Sequence, residues 1–150
     1  AQEMLEVLLG RFGECDALVM SAAVADWRAA SPKTEKEPKL GDAQTLTLVR
    51  TPDILSTLAG RKRAQVVVGF AMETHAGVER AADKARRKAL DFIGLNYPTR
   101  EGSAFGGDDN QVTFVTPGGE AEELPRMTKR AVADRLLDRV VGLLGAGTSP

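Results

Sequence analysis

Ser21-Ala22-Ala23-Val24-Ala25-Asp26 combines very little side-chain bulk with one carboxylate, directly after an apolar run. Two structures fit such a stretch. One is a ligand site, in which a flat ring lies against backbone N–H and C=O groups. The other is a small-residue turn packed beneath a helix. Asp26 also reads two ways, as an acceptor for the amino group of a base or as half of a local pair with Arg28. Lys33, Lys36 and Lys39 then recur every third residue in a segment without apolar periodicity. Lysine is a compact charge with three donors on a flexible stem. The segment therefore suits a lid that orders over phosphates, or else a solvated loop, and Glu35 and Glu37 partly neutralise it. Lys84 and Lys88 stand four apart, side by side on one helix flank, facing either an anion or solvent. The chemistry these residues share is recognition of a nucleotide: small residues against the base, lysines against the phosphates.

Other constellations are missing from the chain. There is no G-x-G-x-x-G and no G-x-x-x-x-G-K-[ST], so neither common phosphate loop is present. A nicotinamide-dependent oxidoreductase is disfavoured on the same ground. His75 is the single histidine and cannot build a histidine-rich metal site. Cys15 precedes a strand rather than following one, which suits an incidental thiol better than a nucleophile. Asp108-Asp109 reads as a turn before it reads as a cation site. Trp27, the single tryptophan, is expected as a packing anchor. No Ser-His-Asp set can be assembled.

The elements that must position these residues follow from periodicity. The chain has 150 residues, 27% charged and 43% apolar, the composition of one soluble globular domain over 1–150. A net charge of -1 gives no field toward nucleic acid or an anionic membrane, so neither partner is expected. One cysteine allows no internal disulfide and favours a reducing, cytoplasmic setting. Ala1, Met4, Leu5, Leu8, Leu9 and Phe12 make a helical stripe, and the chain starts directly on it, the look of a fragment. "ALVM" (17–20) predicts a strand buried on both faces. "TLTLVR" (45–50) alternates as a strand does. Thr51 is a candidate cap with Pro52 at the first helical position, and Ile54, Leu55 and Leu58 form the inner face before Gly60. "QVVVGFA" is the strongest strand. Val78, Ala81, Ala82, Ala85 and Ala89 define the next helix. "DFIGLN" is another buried strand, and "NQVTFVT", Pro117-Gly118-Gly119 and "EAEEL" an edge hairpin. A last helix over Thr128 to Leu144 buries Val132, Leu136, Leu137, Val140 and Leu144, with "GAGTSP" as a frayed tail.

Helices alternating with buried strands predict an α/β fold with a mostly parallel sheet and a C-terminal edge hairpin. In such folds ligands bind outside the carboxyl ends of the strands. The residues at those ends are Ser21 to Ala23 with Asp26, Phe70 to Thr74, and Asn96. They mark one edge as the site.

Together "AAVADWRAASPKTEKEPK", "TPDIL", "VVGFAMET", the Lys84/Lys88 helix and "FGGDDNQVTFV" resemble one family over essentially the whole chain. It is the bacterial phosphopantothenate-cysteine ligase, the synthetase half of the bifunctional coenzyme A biosynthesis protein. The resemblance implies a Rossmann-like three-layer fold, a homodimer, and CTP with Mg²⁺. It implies that 4'-phosphopantothenate is joined to cysteine through an acyl-cytidylate. Asp26 matches a nucleotide-contacting aspartate. Lys36 matches the lid lysine that serves the intermediate, a catalytic position that also contacts nucleotide. Pro52, Asp53, Ile54, Leu55, Phe70, Lys84 and Lys88 match further CTP-contacting positions, and Ala23 falls where the family keeps a small residue. The family's opening strand, glycine-rich turn and asparagine-bearing segment do not precede Ala1, and the flavin-binding decarboxylase half is not expected on this stretch. Glu37 and Pro38 interrupt the lysine cluster. The competing expectation is a non-catalytic, dimeric nucleotide-binding module.

Overall fold

The computed structural model describes residues 1–32, 35, 45–73, 75–97 and 108–147. Lys33, Lys36 and Lys39 lie outside these residues, as do Thr74, 98–107 and the last three positions of the chain.

Helix α1 (Gln2–Arg11) passes through a 3-10 turn (Phe12–Glu14) into strand β1 (Ala17–Met20). Strands β2 (Trp27–Ala29) and β3 (Leu48–Arg50) precede α2 (Ile54–Ala59), β4 (Val66–Met72), α3 (Gly77–Arg87) and β5 (Phe92–Asn96). The chain closes with β6 (Asp109–Asn110), β7 (Val112–Val115), β8 (Ala121–Glu123), β9 (Met127–Thr128) and α4 (Lys129–Ala146). The main sheet has the order β1-β4-β5-β7-β8. Strands β1, β4 and β5 are parallel, while β7 is antiparallel to both β5 and β8. Four of the five strands therefore point the same way, and the mostly parallel α/β fold with a terminal hairpin is the one observed.

Alternation along the central strands splits the core into two layers. Val67, Ile93 and Leu95 face α1, α2 and α3, packing with Leu5, Phe12, Leu58 and Ala82. Val66, Val68, Phe92 and Phe114 face α4, packing with Val132, Leu136 and Val140. Phe92 and Phe114 meet edge-on at 5.2 Å between ring centres. The three valines of β4 are buried because the strand is covered on both sides. Small Ala81, Ala82 and Ala85 let α3 sit close to the sheet. Thr128 caps α4 by accepting from the Ala131 N–H.

Several expectations are corrected. Strand β1 is not buried on both faces: it is a sheet edge, and Val19 is 37% exposed. "TLTLVR" supplies only the three residues of β3, which pair with β2 in a separate ribbon, leaving Leu46 and Leu48 exposed. Trp27 is no packing anchor; it stands 51% exposed on that ribbon, with the Arg50 guanidinium 5.0 Å from its ring centre. Asp53, not Thr51, caps α2, accepting from the Ser56 N–H. Ala89 leaves the α3 stripe and adopts φ +50°, ending the helix without a glycine. Leu137 is exposed on α4, whereas Gly145 and Ala146, expected to fray, continue that helix. Among the described residues no helix is long and apolar enough to cross a membrane.

Candidate functional site

A cavity of about 490 Å³ opens at the carboxyl ends of β1, β4 and β5. Its size is that of a small-molecule site. The wall after β1 is Ser21 to Asp26, the small-residue stretch, outside any helix or strand and exposed except at Val24. A second wall is Arg50 to Leu55, and a third is Phe70 to Met72 with Lys84 and Lys88. Asn96, Asn110 and Val112 complete it. The structure thus brings Ala23, Asp26, Pro52, Asp53, Ile54, Leu55, Phe70, Lys84 and Lys88 around one space. Lys36 lies outside the described residues.

The ribbon of β2 and β3 leaves the domain immediately after Asp26 and returns immediately before Thr51. Thr51 ties these two feet together: its hydroxyl donates to the Ala25 carbonyl, and its N–H donates to the Asp26 carbonyl at 2.9 Å. The small-residue wall is therefore pinned to the start of α2. Ile54 and Leu55 line the cavity although their side chains belong to the core.

Two lysines reach this space, Lys84 from the second half of α3 and Lys88 from the residue just past its end. Lys88 Nζ donates to Asp53 Oδ1 at 2.9 Å, and its side chain is only 16% exposed. Burial works to raise the Asp53 carboxyl, but the Lys88 ammonium and the Ser56 N–H outweigh it and hold the group below its ordinary value. Asp53 thus caps a helix and fixes a lysine at once. Lys84 is placed differently. Its ammonium donates to the Phe70 carbonyl at 3.3 Å, and among the described residues no carboxylate lies within ion-pair distance. Burial, and then the Lys88 charge, push its pKa down against the weaker pull of Glu73, Asp53 and Asp26. A buried ammonium in this state gains most from an incoming anion.

The opposite wall is less charged. Gly94 lies under the Phe70 ring; a Cβ there would meet Phe70 Cε1 at 2.7 Å. The missing side chain is what leaves room for the ring against β5. Asn96, at the end of that strand, is buried, and its Oδ1 has no hydrogen-bond partner among the described residues. Asn110 turns its own Oδ1 to the Gln111 N–H at 2.9 Å.

The sequence placed Asn96 at the edge without a role, marked Thr51 only as a helix cap, and did not single out Arg50 or Asn110. Position at the end of a strand and just beyond it was the available signal for Arg50 and Thr51. Asn110 sits on a two-residue strand, too short for periodicity to reveal. Among the described residues no group of three histidine, cysteine, aspartate or glutamate side chains could hold a metal ion.

The chain is a three-layer α/β domain with two lysines on the wall of a cavity at its parallel strand tips. The profile of the DNA/pantothenate metabolism flavoprotein C-terminal domain family matches residues 1–144, and the chain belongs to that family. It is 36% identical over 143 residues to the coenzyme A biosynthesis bifunctional protein CoaBC of Bacillus subtilis (strain 168), covering 95% of this chain and 35% of that protein. The chain therefore spans about a third of that relative's length. The crystal structure of the C-terminal domain of a CoaBC bifunctional protein superposes with a TM-score of 0.77 at 34% identity, covering 97% of this chain and 63% of that one. A DNA/pantothenate metabolism flavoprotein from Streptococcus pneumoniae also superposes at 0.77, with 21% identity and coverage of 95% and 69%, and shares the fold.

Proposed function

We propose that this chain is the nucleotide-binding part of a CTP-dependent ligase that joins 4'-phosphopantothenate to cysteine in coenzyme A biosynthesis. The observation that carries the reading is the cavity at the strand tips, which gathers Asp26, Phe70, Lys84 and Lys88 from three separate stretches of a chain of this family. In the first step a carboxylate oxygen of phosphopantothenate attacks the α-phosphorus of CTP. The P–O bond to the β-phosphate breaks, and pyrophosphate leaves with its electron pair. In the second step the amine of cysteine attacks the acyl carbon, loses a proton, and expels CMP.

The residues on the walls suit this chemistry. The carboxylate is already ionised at neutral pH, so no strong base is needed to start. Charge develops on phosphate oxygens, and Lys84 is an oriented, part-buried cation beside them. Lys88 is held by Asp53 and lends its charge from a fixed position. Lys36 is assigned the lid: it closes over the phosphates and keeps water from the mixed anhydride. Mg²⁺ fits as an ion carried in on the triphosphate, since such ions take most ligands from phosphate and water and one or two from carboxylates. Asp26, on the cavity wall, is the carboxylate assigned to it. When bound, the ion supplies charge neutralisation at the phosphates.

A homodimer completes the proposal. The β2–β3 ribbon exposes Trp27, Leu46 and Leu48, an apolar surface suited to a second copy. A decarboxylase domain on the same polypeptide and a cytoplasmic setting belong to the same reading. The test is pyrophosphate release. With CTP, Mg²⁺, phosphopantothenate and cysteine, the protein at its full encoded length releases one pyrophosphate per phosphopantothenoylcysteine formed. CTP protection against melting without any pyrophosphate would leave a binding module only.

A further inference from the structure

Lys84 stands between two hollows. It lines the strand-tip cavity, and it also lines a hollow of about 430 Å³ with Glu73, Arg80, Asp83 and Arg87. A lysine carries its charge on a flexible stem, so the ammonium can serve either space. It is held at the Phe70 carbonyl, on the cavity wall. Of the carboxylates around it, Glu73 pulls on it hardest, ahead of Asp53 and Asp26. Yet Glu73 is engaged elsewhere: the Arg80 guanidinium donates to it at 3.3 Å. Arg80 lies four positions before Lys84 on the same flank of α3, so two cations compete for one carboxylate. Asp83, in the same hollow, is likewise held, by Arg87 at 2.9 Å and Arg86 at 3.6 Å. Glu79 stands five positions before Lys84, on a different flank. The Arg80 side chain is 64% exposed, and an exposed pair contributes little to stability. Its consequence lies in where it leaves Lys84.

We propose that Arg80 is a positioning residue for the strand-tip cavity: by engaging Glu73 it denies that carboxylate to Lys84 and keeps the Lys84 ammonium available to an incoming anion. The inference deepens the proposed function and rests on it. Without Arg80, Glu73 takes the Lys84 ammonium, which turns from the Phe70 carbonyl into the second hollow. An anion entering the cavity must then break a charge pair before it gains the lysine, and its affinity falls.

The experiment is a double-mutant cycle on the full-length protein: the parent, Arg80→Ala, Glu73→Gln and the double variant, with Arg80→Lys alongside. Each is titrated calorimetrically with CTP and with inorganic triphosphate, and its melting temperature is measured. Arg80→Ala should weaken both ligands roughly three- to tenfold without lowering the melting temperature, and Arg80→Lys should restore most of the loss. In the Glu73→Gln background the same change to alanine should cost at most about twofold, since the competing carboxylate is gone. An equal loss in both backgrounds is the plain removal of a positive charge and overturns the inference, as does an Arg80→Ala variant that binds like the parent. Loss of the fold in Arg80→Ala overturns it too, because the pair would then be structural. If the parent binds triphosphate but not CTP, the proposed function fails while the inorganic ligand still decides the role of Arg80. If the parent binds neither anion, both fall.

Discussion

Lys84 and Lys88 look equivalent in sequence, yet their surroundings give them different work. Lys88 is engaged by Asp53, whereas Lys84 is an ammonium held by a carbonyl, with its pKa lowered first by burial and then by Lys88. The unfolded chain therefore binds the Lys84 proton more tightly than the folded one. Between the folded and unfolded pKa values stability of the ligand-free protein rises with pH, while affinity for an anion falls as the ammonium is lost. Calorimetric titration of CTP from neutral into alkaline pH should show affinity declining earlier than an ordinary lysine allows. Arginine at this position, Lys84→Arg, should abolish the decline, and Lys84→Ala should weaken CTP roughly ten- to a hundredfold at neutral pH. An unchanged Kd for Lys84→Ala removes the residue from the site. For Lys36 the expectation is different: Lys36→Ala should reduce turnover far more than CTP binding, and equal losses would make it a ground-state contact. Periodicity revealed the lysine pair, but which of the two had a carboxylate beside it depended on Asp53, 35 positions away in sequence.

At the scale of elements, the wall after β1 is held at Val24, which packs on the core, and at its far end by Thr51. Its two hydrogen bonds join the feet of the ribbon, and the site needs both feet in register. Thr51→Val keeps the shape and loses the hydroxyl. Its KM for CTP should rise several-fold, with serine at the same position restoring most of it; equal KM values in both variants would mean the wall holds itself. Gly94 makes a second such support. Alanine there drives into the Phe70 ring, so Gly94→Ala should lower the melting temperature, with about 1–3 kcal/mol lost to the forced shift. Strands and helices of the main layers were legible because β4, β5, α3 and α4 each bury a regular pattern. The strand over 45–50 was legible but its partner β2 and their separate ribbon were not, since each strand is three residues and Trp27 and Leu48 are exposed. Val19 and Leu137 were misread for a related reason: an apolar residue gives no sign of whether another element lies above it.

For the molecule as a whole, the sheet order sets where chemistry can occur. Parallel β1, β4 and β5 end together, and the loops after them carry small residues, a phenylalanine and an asparagine onto one edge. The rule for open α/β sheets points to that edge, and the cavity opens there. What the rule did not supply was the reach of α3, whose second half and C-cap bring Lys84 and Lys88 to that edge. The exposed ribbon extends from the same place, so a second copy seated on Trp27 and Leu48 would lie beside the cavity. Trp27→Ser should shift sedimentation toward the monomer; an unchanged sedimentation coefficient removes the ribbon from the interface. The most direct test of the nucleotide cavity is a crystal structure grown with saturating CTP. We expect the cytidine between Ala23 and Phe70 with its phosphates at Lys84 and Lys88. Nucleotide seated on any other surface, or a cavity still empty at saturation, would contradict the account.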